Sequence, residues 1–360
     1  MNPITMVMVV FSMIAALDRI FGGKLGMAKE FERGIMMMGN VCLSMIGMIV
    51  ISPFIAEILD PVFSFVWEKL HIDPSVIPAT LFANDMGGAP LAKEIAQNAE
   101  IGMFNALVVS AMMGATVSFT IPVALGMVDK EQHKELLLGL LCGIVTIPLG
   151  CLVSGIVLQI PMGALLINLL PLVIFSVIVA VGLVVCPNLC VKIFGAFGTL
   201  IKILITIGLA LGILKYLTGI ELIEGLETFE AGGLICLNAC AVMTGAFPLM
   251  YVLGKILKVP MRKLGAMMKI NETSVMGLLS SLATSMTTFG MMKDMDKKGV
   301  LMNSAFAVSA AFTFAGHLAF TMAFDANYIF PVIIGKLVAG VLALAVAMLL
   351  FGRKTEEPQG

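Results

Sequence analysis

Phe82-Ala83-Asn84-Asp85-Met86-Gly87-Gly88-Ala89-Pro90 interrupts an otherwise apolar segment running from about Pro74 to Ala96. A carboxylate, a carboxamide, two glycines and a proline cannot continue an ordinary lipid-facing helix. The glycines loosen the backbone and the proline removes an amide donor, so backbone groups are freed. In lipid, freed backbone groups are tolerated only where protein or a water-filled cavity surrounds them. An ionisable residue at such a place, here Asp85, marks a functional site by default.

The surrounding chain is a membrane protein by composition. Hydrophobic residues make up 59% of 360 and charged residues 12%, half the usual share in soluble domains. A net charge of −1 without a basic cluster argues against nucleic acid as a partner. Apolar runs long enough to span fall at about 3–21, 35–58, 101–127, 136–160, 163–186, 192–218, 230–257, 300–324 and 327–351. Two further segments, 74–96 and 272–292, are apolar but interrupted. The start, with Asp18 and Arg19 after its apolar run and no positive region before it, reads as a retained span.

The chain repeats itself. Phe31-Glu32 and Gly34 match Phe229-Glu230 and Gly232, and at the same offset of 198 Asn40, Cys42, Met45 and Gly47 match Asn238, Cys240, Met243 and Gly245. Ala83, Met86 and Lys93 match Ala283, Met286 and Lys293 at 200, and Val109-Ser110-Ala111 matches Val308-Ser309-Ala310 at 199. Charge then orients the halves. If every apolar segment crosses, the loop lysines and arginines divide eleven against nine. If 74–96 and 272–292 each leave on the face they came from, the division is seventeen against three, with Lys202 and Lys336 inside spans. The second is the expected cytoplasmic bias.

The expectation is therefore an all-α polytopic membrane protein, an inverted-repeat transporter with about nine spanning helices and two re-entrant hairpins. Residues 1–160 form repeat 1, 161–190 a linking span, 191–352 the inverted repeat 2, and 353–360 a polar tail. The N-terminus is expected outside and the C-terminus in the cytoplasm.

Asp85 should face a cation: a substrate amine, Na⁺ or a proton. Its bland alternative is an ion pair with Lys93 or a helix cap. Asn84 offers a donor and an acceptor, and Gly87 and Gly88 shape the break. Asn40 and Asn238 occupy equivalent depths and either line a cavity or lock helix contacts. In the second hairpin Ser281, Thr284, Ser285, Thr287 and Thr288 offer hydroxyls suited to an alcohol or a dehydrated small cation, though hydroxyls are also common at close helix contacts. His317 is the one histidine expected inside the membrane, as a proton or pH group or as a neutral side chain on a backbone partner. Seven cysteines sit in or beside apolar runs; Cys236 and Cys240 are one turn apart but read as packing residues, so no metal is expected. No His-Glu-x-x-His or Gly-x-Ser-x-Gly is present. The three Gly-Lys pairs at Lys24, Lys255 and Lys336 are not followed by Ser or Thr, so neither an enzyme nor a resident cofactor is expected.

Several motifs occur together in order: Asp85-Met86-Gly87-Gly88, Ile121-Pro122-Val123-Ala124-Leu125-Gly126 and Gly143-Ile144-Val145-Thr146-Ile147-Pro148. Phe289-Gly290-Met291-Met292-Lys293-Asp294-Met295-Asp296, Ala305-Phe306-Ala307-Val308-Ser309-Ala310-Ala311-Phe312 and Phe330-Pro331-Val332-Ile333-Ile334-Gly335-Lys336-Leu337 follow. Over about 350 residues the chain closely resembles the bacterial ethanolamine-utilisation permease family, EutH. The resemblance implies an inner-membrane permease that takes up ethanolamine for catabolism, with Na⁺ or H⁺ coupling open. Gly316 stands where the family commonly has an acidic residue before the histidine, which weakens a proton-relay role for His317. The site expected from the residues is Asp85 for the ammonium, with Asn84, Asn40, Asn238 and the hydroxyl cluster around it. A cation or proton channel and a non-transporting membrane partner of the catabolic machinery remain as alternatives.

Overall fold

Long apolar runs satisfy their backbone in lipid only as helices. In the computed structural model, which describes residues 3–355, every regular element is helical. The first half holds α1 (Pro3–Ile20), α2 (Ala28–Met36), α3 (Met38–Leu70), α4 (Val76–Leu81), α5 (Gly88–Ile95), α6 (Ala99–Met127) and α7 (Lys130–Val157). Then come α8 (Met162–Val185), α9 (Pro187–Thr218), α10 (Phe229–Met268), α11 (Glu272–Ser281), α12 (Ser285–Gly290), α13 (Lys297–Ala310), α14 (Gly316–Phe324) and α15 (Ile329–Thr355). The tail expected over 353–360 lies outside the described residues beyond Thr355.

Eight helices of the described residues are long and apolar enough to cross a membrane. The run expected as a continuous span at 300–324 is instead two helices, α13 and α14, separated by residues 311–315. Phe312 there takes a left-handed φ of 61°. The cause is tertiary: the amides of Phe312 and Phe314 donate to Ser281 O and Leu282 O, each at 3.0 Å. Ser281 and Leu282 lie where α11 ends, so two helix breaks pair with each other. At the equivalent place in the first half α6 stays helical but is wound as π-helix over Asn105–Gly114 and Thr116–Thr120. The first hairpin breaks against it, the Ala83 amide donating to Ser118 Oγ at 3.0 Å. Gly87, at φ 104°, makes the left-handed turn into α5.

Both interrupted segments double back. At six to ten residues, their helices are at most about 15 Å long, half a hydrocarbon core. Asp73 ties the two ends of the first hairpin, accepting from the amides of Ser75 (3.0 Å), Gln97 (3.1 Å) and Asn98 (2.8 Å). Asp296 ties the second, accepting from the Asn271 amide (3.0 Å) and Ser274 Oγ (2.9 Å). A carboxamide braces each hairpin from the following helix: Asn105 Nδ2 donates to Ser75 Oγ and Asn303 Nδ2 to Ser274 O, both at 2.8 Å.

Glycine lets helix backbones touch at matching places. A Cβ on Gly47 of α3 would lie 1.9 Å from Ile205 O of α9, and one on Gly245 of α10 would lie 2.0 Å from Met8 O of α1. Gly47 and Gly245 are the pair related by 198 residues. Elsewhere Gly139 meets Leu301 and Gly143 meets Ala305, so α7 and α13 run the same way. α7 and α15 run oppositely, through Thr146 with Ala339, Gly150 with Gly335 and Ser154 with Pro331. α1–α3 with α9 and α10 pack as one bundle, and both hairpins with α6, α7, α13 and α15 as another, with α14 lying against α10 between them.

Candidate functional site

Between the two bundles lies a cavity of about 550 Å³. The first bundle contributes Arg33, Asn40, Ser44, Met243 and Phe247. The second contributes its breaks: Ala83, Asp85 and Met86 from the first hairpin, Ala283, Thr284 and Thr287 from the second, and Phe312 and Ala315–His317 from the interruption before α14. The two hairpin breaks and the interruption before α14 therefore face one space.

Asp85 sits in the single 3₁₀ turn Asn84–Met86. Its carboxylate is half-buried and touches the start of α14: a Cβ on Gly316 would lie 4.0 Å from Asp85 Oδ2. Among the described residues no side chain hydrogen-bonds or ion-pairs with it. Lys93, the partner it could have had, points its ammonium at the Phe324 ring instead, 5.4 Å from the centroid. The nearby buried cation is Lys336, which attracts Asp85 through space without forming an ion pair, so the carboxylate remains open to a cation from the cavity.

The other expected residues divide. Asn40, Thr287 and His317 line the cavity with Asp85. Asn84 is fully buried behind it, with neither its carbonyl nor its amino group hydrogen-bonded within the protein. Ser285 is likewise buried with its hydroxyl unpartnered. Thr288 is committed to structure, donating to Gly277 O at 2.9 Å. Gly87 and Gly88 shape the break from behind; a Cβ on Gly88 would lie 2.2 Å from Phe82 O. Asn238 is exposed on α10 and does not line the cavity.

The residue reading did not single out Lys336 as part of the site. It is 1% exposed, donates to Ala111 O at 2.6 Å, and stands 3.1 Å from His317 Nδ1. The signal was present as a lysine inside an apolar span. Phe119, Phe247 and Phe312, the aromatic part of the wall, carry no sequence signal that separates them from other core phenylalanines.

A second cavity, of about 370 Å³, shares Arg33, Phe247 and Ala283 with the first and continues past Glu30, Tyr251 and Lys255. The shared wall is narrow: the Arg33 guanidinium lies 4.5 Å above the Phe247 ring and 3.4 Å from Glu30.

An all-helical chain with eight apolar spans, whose broken helices meet around an internal cavity, is a multi-pass membrane protein. It belongs to the EutH family: residues 1–350 match the family described as "Ethanolamine utilisation protein, EutH". A relative from Listeria monocytogenes, named probable ethanolamine permease EutH, is 42% identical over 96% of this chain and 93% of its own. One of the same name from Escherichia coli is 38% identical over 97% of this chain and 95% of its own. A Bacillus subtilis relative named uncharacterized protein YxeR is 36% identical over 96% and 94%. No solved structure matches the chain.

Proposed function

We propose that this protein is an inner-membrane permease that binds protonated ethanolamine in the cavity between the bundles and carries it inward by alternating access. The observation that carries the reading is the unpaired Asp85 carboxylate in a wall built from both hairpins. A two-carbon amino alcohol presents one ammonium for that carboxylate and one hydroxyl for the hydrogen-bonding groups beside it. The names of the relatives point to the same substrate.

The transport cycle is that of an inverted repeat, residues 1–160 and 191–352 joined by 161–190, with the N-terminus outside and the C-terminus in the cytoplasm. Helix directions support this. α7 and α13 are parallel although α8, α9, α10 and the second hairpin separate them. Three crossings restore direction at the fourth only if the hairpin returns to its own face. The second cavity, leading past Arg33 and Lys255 on the positively charged side, supports a state open toward the cytoplasm. In the cycle, the hairpin bundle shifts against the other bundle and carries the site with it.

The test is uptake of labelled ethanolamine into proteoliposomes at about pH 6, where an aliphatic amine is protonated. Wild type gives saturable uptake. Asp85→Asn keeps the shape and removes the charge, a loss of about 3 kcal/mol or ~100-fold in uptake efficiency. Undiminished uptake by that variant removes Asp85 from the site, and imposed Na⁺ or H⁺ gradients read the coupling.

A further inference from the structure

Lys336 is a buried cation that attracts Asp85 through space but makes no ion pair with it. None of the ion pairs among the described residues includes it. It spends its donors on Ala111 O and on the imidazole of His317, at 2.6 and 3.1 Å. An ammonium carries three donors and no acceptor, so Nδ1 of His317 must accept. A neutral imidazole that accepts at Nδ1 holds its proton on Nε2. The side-chain contact of His317 is at Nδ1, with the Ala111 backbone also beside the ring, and His317 belongs to the cavity wall, its ring 5.1 Å from that of Phe312.

We infer that His317 Nε2–H is the donor that reads the hydroxyl oxygen of an amino alcohol whose ammonium rests on Asp85, with Lys336 as the positioning residue that fixes the histidine tautomer. The inference rests on the permease reading above and specifies its substrate class. Reach supports the pairing. Gly316, beside the Asp85 carboxylate, immediately precedes His317, so anion and donor border one end of the cavity. Bonds of about 1.5 Å hold the nitrogen and oxygen of a two-carbon amino alcohol only about 3–4 Å apart. Such a molecule bridges neighbours on one wall better than groups on opposite bundles. Of the other cavity hydroxyls, Ser44 Oγ donates to the carbonyls of Asn40 and Val41 and Thr284 Oγ1 accepts from the Met286 amide at 3.3 Å, while Thr287 stands on the other hairpin from Asp85.

The experiment is competition against labelled ethanolamine uptake by the full-length protein in liposomes, with ethanolamine, 2-methoxyethylamine and ethylamine as competitors. The ether oxygen accepts but cannot donate, and ethylamine has no oxygen. Wild type is expected to bind ethanolamine and the ether comparably and ethylamine about tenfold or more weakly, the worth of one buried hydrogen bond. His317→Phe should lower ethanolamine to the level of ethylamine. In Lys336→Met, Nδ1–H turns to Ala111 O and Nε2 becomes an acceptor. The ether then falls about tenfold while ethanolamine, which can donate, holds. Equal competition by ethylamine and the ether in wild type overturns the inference without requiring any variant to fold, and so does an undiminished gap in His317→Phe. Parity of alcohol and ether in Lys336→Met removes the positioning role. If uptake is saturable and depends on Asp85 but shows no gap, only this inference falls; if wild type shows no saturable uptake, the permease reading falls with it.

Discussion

Gly47→Ala tests the contact that joins the two halves. The added Cβ would lie 1.9 Å from Ile205 O, and real Cβ contacts essentially never come under 3.0 Å. The obstacle is a backbone carbonyl, so no side chain can turn aside, and α3 and α9 must separate by about 1.1 Å at that point. Gly208 is locked in the same contact, its own Cβ position lying 2.0 Å from Gly47 O. Overpacking of this kind costs about 1–3 kcal/mol, and a gap of 0.5–1 Å forfeits about a quarter to a half of the dispersion contact around it. Against a loss of about 3 kcal/mol, alanine recovers about 0.5–1 kcal/mol of helix preference, leaving a net destabilisation of about 2 kcal/mol. Gly195→Ala on the same α9 meets nothing within 4 Å and should stabilise by about 0.5–1 kcal/mol. A thermal melt read with a thiol-reactive fluorophore reports both, because Cys142, Cys151, Cys236 and Cys240 are buried until the protein opens. Gly245→Ala, whose Cβ would lie 2.0 Å from Met8 O, should match Gly47→Ala. Coincident melts for Gly47→Ala and Gly195→Ala would refute the close approach. A loss at Gly47 without one at Gly245 would refute their equivalence.

Two other substitutions follow from the site and its braces. In Asp85→Asn/Gly316→Glu the carboxylate returns from the other side of the same gap. The nearest atoms to a new Cβ at 316 are Phe312 Cδ1 at 3.8 Å and Asp85 Oδ2 at 4.0 Å, so the first side-chain carbon meets only ordinary van der Waals contact. Uptake should recover about tenfold over Asp85→Asn alone, part of what the charge contributed; no recovery would mean that position matters as much as charge. Asn303→Ala removes donors to Ser274 O of the second hairpin at 2.8 Å and to Gly299 O of its own helix at 2.9 Å. It should cost about 2 kcal/mol in the thiol melt, and a melt unchanged from wild type would rule out the brace.

The elements that sequence displayed were those governed by local chemistry. Gly87 and Pro90 disclose the first break because a left-handed turn and a missing donor are written in residue type. The break at 311–315 was not legible, since Ala311-Phe312-Thr313-Phe314-Ala315 is as apolar as any span. It exists because the carbonyls of Ser281 and Leu282 need partners, a long-range demand that leaves no local mark. The site shows the same division. Asp85, Asn40, Thr287 and His317 stand out as polar groups in apolar runs, and the cavity gathers them. Asn238 stood out equally and lies exposed, because a repeat offset gives depth along a helix but not which bundle faces it. Lys336 was visible as a charge and unreadable as a partner, since α15 meets α6 and α14 only in three dimensions. The offsets themselves recur as matched interactions. Ser75 and Asn105 pair as Ser274 and Asn303 do, at separations of 199 and 198, although those residues stand in no obvious motif.

The two hairpin tips differ where a monovalent cargo would require it. At the offset of 200 that aligns Ala83 with Ala283 and Met86 with Met286, Asp85 falls opposite Ser285 and Asn84 opposite Thr284. A symmetric pair of carboxylates would place two negative charges around a substrate carrying one positive charge. One anion would then stay desolvated and uncompensated, or take up a proton, at a cost that the substrate could not offset. With a single carboxylate, the two tips together present one negative charge. The other tip is free to offer a hydroxyl at Ser285, buried and without a partner, and the cavity-facing Thr284 and Thr287. Of the two tips, only the first thus carries a negative charge, and the buried Lys336 is the nearby cation.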